Sequence, residues 1–257
     1  MAYLLIAFSK IKKMPEGPSI VILKEAVSQF TGKKVKKASG NSKQLAFKKI
    51  TGQKITAFKS WGKHFLICFP TFSVRIHFLL FGSYRINEKK ESSPRLSLQF
   101  SKGEINFYAC SVKELDQDLD QVYDWSADVL NENWDKKKAL EKLKKQPLTL
   151  VCDALLDQTI FAGVGNIIKN EVLYRIKVHP LSEIGKLPPK KLKLLVKEAE
   201  KYSFDFLKWK KEFTLKKHWL AHTKKKCARD KNPILKMYAG KTNRRTFYCE
   251  YCQVLYN

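Results

Sequence analysis

The sequence predicts an α+β chain built in more than one part. Three observations carry that reading. Short apolar runs and strict alternation fill the first half, helical periodicity takes over near residue 130, and a basic, cysteine-bearing tail begins near residue 222. At 257 residues the chain can hold one large domain or two modest ones, each with a real core.

The elements follow in order. Between Ile20 and Phe30, after Pro18, the residues Val21, Leu23, Ala26, Val27 and Phe30 fall at helical spacing. Residues 47–81 carry short Phe- and Ile-rich runs punctuated at Gly52 and Gly62, which read as strands. Leu96, Leu98 and Phe100 alternate with polar residues, Ser101 to Glu104 make a turn, and Ile105 and Phe107 resume the alternation. Two half-buried antiparallel strands joined by a short loop account for that stretch, and several such runs within about a hundred residues suggest a sandwich or a barrel. From Asn131 the pattern is helical. Residues 135–144 (DKKKALEKLK) form a solvated helix, and Leu148–Asp157 and Asn166–Ile176 form two more, separated by Ala162-Gly163-Val164-Gly165. Pro188-Pro189 suits a helix start, and Leu192, Leu195, Val196, Ala199 and Phe206 give that helix an apolar face.

Charge narrows the partner. Fifty Lys and Arg against 24 Asp and Glu give +26, with a pI near 9.8, and a polyanion is the economical explanation for such an excess. Nucleic acid leads, with an anionic membrane surface or the ribosome as rivals. No run is long enough to span a bilayer. The apolar stretch Ala2–Phe8 precedes Lys10, Lys12 and Lys13, the reverse of a secretory signal, and at most resembles a weak organellar leader. Cys68, Cys110 and Cys152 sit singly in apolar segments as small core residues. Cys227, Cys249 and Cys252 cluster, which is metal-site usage in a reducing compartment rather than a disulfide framework. That compartment is the nucleoid-associated cytoplasm in a bacterium, or an organelle or the nucleus elsewhere.

Two motifs carry chemistry. Gly163 and Gly165 permit positive φ or close approach to a ligand, and Asn166 opens a helix whose first N–H groups make a natural phosphate site. The plainer alternative makes Asn166 an N-cap in a tight turn between helices, and the surrounding positive charge tilts the balance toward phosphate. In the tail, Cys249-x2-Cys252 is half of a zinc knuckle and Cys227 begins the other half, but position 230 holds Asp. Thiolate-rich zinc sites favour imidazole, which points to His222 as the fourth ligand, whereas the register of the knuckle points to Asp230.

Met14-Pro15-Glu16-Gly17-Pro18 alone is a proline-rich turn. With LLDQ-x3-AGVGN-x4-E over residues 155–171 and RRTFYC-x2-CQ over 244–253, in that order, the chain resembles the formamidopyrimidine-DNA glycosylase / endonuclease VIII family across nearly its whole length from Met14. The Pro-Glu-Gly-Pro form is similar to the endonuclease VIII branch. The resemblance implies an N-terminal antiparallel β-sandwich over 14–130, a helix–two-turns–helix (H2TH) domain over 131–221 and a zinc-finger β-hairpin over 222–257. Residues 1–13 are then a leader absent from the active protein.

The resemblance also implies the activity: a monomeric base-excision enzyme for damaged double-stranded DNA, removing oxidised bases, pyrimidines above all, with lyase activity by β/δ-elimination. Pro15 matches the nucleophile, a terminal amine whose pKa of about 7.7–8.0 leaves part of it uncharged at neutral pH. Glu16 matches the acid/base, Lys63 in Trp61-Gly62-Lys63-His64-Phe65 the phosphate-holding strand lysine, and Asn166 and Arg244 two further phosphate ligands. Glu171 matches a carboxylate with a structural role. Leu79, Leu80 and Phe81, a buried strand end by sequence alone, match the wedge that fills the gap left by an extruded base. Zinc is the implied metal, held by Cys227, Cys249 and Cys252 with His222 or Asp230.

Two departures bear on this. Asp230 replaces a usual cysteine, and thirteen residues precede Met14. An acylated Pro15 nitrogen is a tertiary amide without a nucleophilic lone pair. If the leader stays, the expectation becomes a non-catalytic protein that binds lesions or DNA structures. A ribosome-associated basic protein would not need Pro-Glu, the wedge and the zinc hairpin together.

Overall fold

The computed structural model describes residues 15–257, so the expected leader and Met14 lie outside the described residues. Helix α1 (Gly17–Ala26) begins with Pro18 in its first turn, where the missing N–H costs nothing, and buries Ile20 and Leu23. Strands β1 (Lys37–Ser39), β2 (Ala57–Trp61), β3 (His64–Cys68), β4 (Ser73–Ile86), β5 (Leu96–Gln99) and β6 (Glu104–Leu115) form one antiparallel sheet, ordered β1-β5-β6-β4-β3-β2. The alternation read from the sequence survives in the register. Leu96 pairs with Phe107 and Leu98 with Ile105 across the expected turn. Strands β4 and β6 run through both ends of the sheet, with a register shift between Phe78 and Ser83. The sandwich is therefore one continuous sheet, and its two ends share a single core with α1, in which Phe65 and Phe107 stand 5.8 Å apart.

Two local expectations change. Phe47–Ile50 is a helical turn (α2) rather than a strand, closed by Thr51 N–H donating to the Phe47 carbonyl. The helix expected over Leu148–Asp157 shrinks to α5 (Val151–Ala154), after the short α3 (Leu119–Val122) and α4 (Lys136–Lys144). The cause is competition for the backbone. Val151 and Cys152 donate to the carbonyls of Ser182 and Pro180, so Leu150 ahead of them is held extended, the chain before it makes a turn closed by Thr149 N–H donating to the Gln146 carbonyl, and Leu148 stays exposed.

Helix α4 is capped by Asp135, which accepts from the N–H groups of Lys137 and Lys138. Helix α6 (Asn166–Ile176) is buried on nearly every face, and α7 (Pro189–Lys211) packs against both α6 and α1. The hairpin β7 (Leu235–Ala239) and β8 (Arg244–Tyr248) lies against α6. Among the described residues no helix is long and apolar enough to cross a membrane.

The two halves meet at three glycines. Gly17 N–H donates to the Gly163 carbonyl at 2.8 Å. A Cβ on Gly17 would stand 2.8 Å from Gly163 Cα, and one on Gly62, at φ +53°, would stand 2.9 Å from Gly163 N. No side chain fits between these backbones, which is why residues 17, 62 and 163 can touch. Gly62→Ala is expected to destabilise the fold by roughly 1–3 kcal/mol through strain alone, read as a lower urea midpoint with an unchanged m-value.

Candidate active site

Helix α6 starts after Gly165, an N-cap with no side chain of its own to satisfy the first N–H groups. A carboxylate from the other half of the chain does so. Glu16 Oε1 accepts from Ile167 N–H at 2.7 Å and Oε2 from Ile168 N–H at 3.2 Å. The positive end of the helix therefore faces a negative charge. Gly165 is obligatory here for space, because a Cβ would lie 2.4 Å from Glu16 Cδ. The N-terminus that the sequence marked as a phosphate site is thus filled by Glu16. Asn166 is the first helical residue rather than the N-cap.

Glu16 is 1 % exposed. Burial raises its pKa above the ordinary carboxylate value, opposed chiefly by the charge of Lys63, then by the two helix N–H groups and Lys210. Lys63 answers from the turn after β2. Burial lowers its pKa, Glu16 pulls it back up, and the charge of Arg244 lowers it further. Three charged groups from three distant segments thus share one electrostatic neighbourhood, with half-buried Pro15 adjoining Glu16 in the chain. The Lys63 turn is itself pinned. Buried Asp128 accepts from Gly62 N–H at 2.9 Å and from Leu130 N–H at 3.0 Å.

Helix α6 also holds the strand that bears Arg244. Asn166 Nδ2 donates to the Arg245 carbonyl at 2.9 Å, while its Oδ1 is buried without a partner. Lys169 is fully buried and its ammonium donates to Thr246 Oγ1 at 2.7 Å, with burial lowering its pKa to about 8. Asn170 Oδ1 accepts from Phe247 N–H at 3.2 Å. Residues 166, 169 and 170 share one helix face, so a single face of α6 fixes the backbone of β8. Asp153 secures the hairpin turn by accepting from Lys241 N–H. Glu171, expected to be structural, accepts from the N–H groups of Leu220, Ala221 and His222 at 2.8–3.1 Å and anchors the entry to the tail.

The wedge candidates Leu79, Leu80 and Phe81 lie within β4 at its register shift and are 53 %, 52 % and 63 % exposed. They are a strand segment, but not a buried one. Three consecutive apolar side chains left more than half exposed make a surface patch of the kind that marks an interaction site.

In the tail, ligand atoms of Cys227, Asp230, Cys249 and Cys252 all lie within 4.8 Å of one another. His222 is not among them, which corrects its candidacy. Its Nδ1 faces Asn170 Nδ2 at 3.1 Å, and its ring is packed edge-on against Trp219 and Phe247. Two sulfurs bound to one tetrahedral zinc at about 2.3 Å stand about 3.8 Å apart. Cys227 and Cys252 are 3.8 Å apart, and Cys249 Sγ lies 3.2 Å from Asp230 Oδ2. The cluster fits such an ion.

The sequence reading missed Asp128, Asp153, Lys169, Asn170 and Lys210. Only the pair Lys169-Asn170 left a trace, as polar residues one turn beyond Asn166 on the same helix face.

Comparison with known proteins agrees with this geometry. The overall shape is that of the formamidopyrimidine-DNA glycosylases: a solved Lactococcus lactis enzyme, non-covalently bound to DNA containing an AP site, superposes with a TM-score of 0.82 at 23% identity, over 93% of this chain and 99% of that one. The model of the formamidopyrimidine-DNA glycosylase N-terminal domain matches residues 14–111, and that of its H2TH domain matches residues 126–203. The chain is 32% identical to Endonuclease 8-like 3 of Xenopus laevis over 218 residues, and 35% identical to Endonuclease 8-like 2 of Bos taurus over 196. Those alignments cover 79% and 70% of this chain but only 35% and 58% of the relatives, so the chain spans part of the length of the curated proteins it matches. This chain belongs to the formamidopyrimidine-DNA glycosylase family, in its endonuclease VIII-like branch.

The raised pKa of Glu16 sets a stability test. Its protonated form favours folding fully below the ordinary value of 4.5, and that contribution is lost as pH rises through the raised folded-state value. Glu16→Gln, which cannot ionise, is expected to gain stability relative to the parent as pH rises from 4 to 7. Paired urea titrations across that range check it: a flat difference would show that folding leaves the pKa of Glu16 unshifted, and a falling one that the ionised form is favoured.

Proposed function

We propose that the chain is a base-excision DNA glycosylase with AP lyase activity, acting on oxidised bases, with pyrimidines preferred. The observation that carries this is the buried Glu16 carboxylate, next to Pro15 in the chain and seated on the start of α6, with the charge of Lys63 acting on it and that of Arg244 acting on Lys63. A free Pro15 amine attacks C1′ of the damaged nucleotide, the C1′–N bond breaks, and the base leaves with a proton. Glu16 gives the proton to O4′ at the opening sugar, and burial, which raises its pKa above the ordinary carboxylate value, favours the protonated form that this step uses. The Pro15 nitrogen gives up its proton, the C1′–O4′ bond breaks as O4′ takes a proton, and the iminium left at C1′ acidifies C2′–H, whose loss expels the 3′ phosphate as the C3′–O bond breaks. Lys63, Arg244 and the second Nδ2–H of Asn166, the one not given to the Arg245 carbonyl, hold phosphates around the extruded nucleotide, and Leu79, Leu80 and Phe81 fill its place in the stack. The division at residues 130 and 221 fits this labour, with the sheet carrying the nucleophile and the helical part and hairpin carrying the backbone grip.

The Cys227–Asp230–Cys249–Cys252 cluster supports zinc as the resident metal. Bound there, the ion supplies cross-linking of the hairpin loops and no step of the reaction. Each of the four side chains would give it one ligand atom.

Chemistry and binding separate experimentally. A protein whose first residue is Pro15 is expected to be trapped covalently on an abasic-site duplex by borohydride, and one carrying a residue ahead of Pro15 is not. Absence of an adduct from the free-proline form, with duplex binding intact, would leave the chain a DNA-binding protein without the chemistry. Arg244→Gln is expected to weaken duplex binding across sequences and to reduce the slope of log affinity against log salt by about 1, measured by fluorescence anisotropy.

A further inference from the structure

The hairpin cluster has a neighbour that offers no ligand atom to an ion. Arg229 stands next to Asp230 in the loop, and its Nη2 donates to Cys252 Sγ at 2.8 Å. Its other arm donates to the Tyr174 carbonyl at 2.9 Å, and its guanidinium lies 3.7 Å from the centre of the Tyr174 ring. Tyr174 in turn reaches the cluster from α6. Its hydroxyl lies 3.1 Å from Cys227 Sγ and accepts from Ala228 N–H at 3.2 Å. Two of the four candidate ligands are therefore bonded to one Arg–Tyr pair, and the tyrosine belongs to the helix that holds β8 and Glu16.

Charge gives the pair a purpose. Three thiolates and a carboxylate carry four negative charges against two on a zinc-class ion, and the excess sits where Cys227 and Cys249 are buried. Uncompensated charge at such a place is costly. A guanidinium suits the position, because it stays ionised, stacks on an aromatic face and still presents N–H groups to a thiolate. Bonds to the ligands of a metal commonly change its affinity by about 10–100-fold.

We infer that Arg229 is a positioning residue of the metal site, holding the Cys252 thiolate by a hydrogen bond and, through Tyr174, tying metal occupancy to α6. The inference rests on the reading that the cluster binds a zinc-class ion. It names residues outside the ligand set, and the link it draws runs from the ion to the interdomain helix rather than to the hairpin alone.

The test uses the full chain and two metals. Zinc affinity is measured by competition with a chromophoric chelator, and cobalt is bound as a spectroscopic probe. Arg229→Met is expected to lower zinc affinity about 10–100-fold, and to move the cobalt–thiolate charge-transfer band to lower energy as the Cys252 thiolate loses its hydrogen bond. Tyr174→Phe, which keeps the ring under the guanidinium, is expected to show a smaller loss arising at Cys227. Arg229→Lys, which keeps the charge without the fork, provides the same readouts should the methionine variant not fold, and is expected to fall between parent and Met. Unchanged affinity and spectrum in the Arg229 variants of a metal-binding parent would overturn the inference. A parent that takes up neither metal would overturn the metal reading and this inference with it.

Discussion

The structure depends on one bond pattern: the carboxylate of Glu16 satisfying the start of a helix 151 positions away. Helix N-termini ordinarily take a local cap, and α6 has none. Glu16 can take that role only because Gly17, Gly62, Gly163 and Gly165 remove every Cβ that would keep the backbones apart. Once Glu16 is seated, the Lys63 turn lies against the same junction and Pro15 is carried to its edge. The site is therefore assembled by the interface between the halves, and neither half contains it alone.

Helix α6 is the second half of that arrangement. Its first turn takes Glu16, its next polar face takes β8, Glu171 takes the segment before the tail, and Tyr174 reaches the cysteine cluster. Such a helix cannot be amphipathic in the ordinary sense, since all its faces are occupied. It buries Lys169, Asn170 and Glu171, residues that avoid interiors unless paired. Each is matched by N–H groups or an acceptor from a different segment, so the desolvation of one is offset only when the others are in place. Breaking a single buried polar tie typically costs about 1–3 kcal/mol. The polar face thus makes the relation of the halves unique, where an apolar one would let them slide.

Much of this was legible in residue order and much was not. The bounds of α6 and the start of α7 could be read because periodicity, flanking glycines and Pro188-Pro189 agree. The strands β5 and β6 followed from alternation alone. Local signals failed at Phe47–Ile50, where four residues are too few to separate a strand from a turn of helix, and at α5, whose backbone is claimed by Pro180 and Ser182. Pro15, Glu16 and Lys63 came into view through a motif, and nothing in their spacing says that Glu16 caps a helix. Asp128 and Asp153 left no trace at all. A carboxylate that accepts backbone N–H groups from a distant segment has no periodicity to betray it, and its partners carry no side-chain identity.

The same network explains why the cluster can carry Asp230 without cost to the site. A metal in a small isolated finger supplies most of its folding energy, so a weakened ligand there unfolds it. Here the hairpin is held independently at three places. Face residues of α6 fix β8, Asp153 fixes the turn, and the end of the chain is stitched to the loop after α6, where His179 and Glu183 N–H groups donate to the Val254 and Tyr256 carbonyls at 2.8 Å. Gln253 adds a further bond from its side chain to the Val178 carbonyl. Arg244 is therefore placed by ties that do not pass through the cysteines. The cluster is relieved of sole responsibility for the fold, and a carboxylate at position 230 becomes a change within the Cys227–Asp230–Cys249–Cys252 cluster rather than in the position of the arginine.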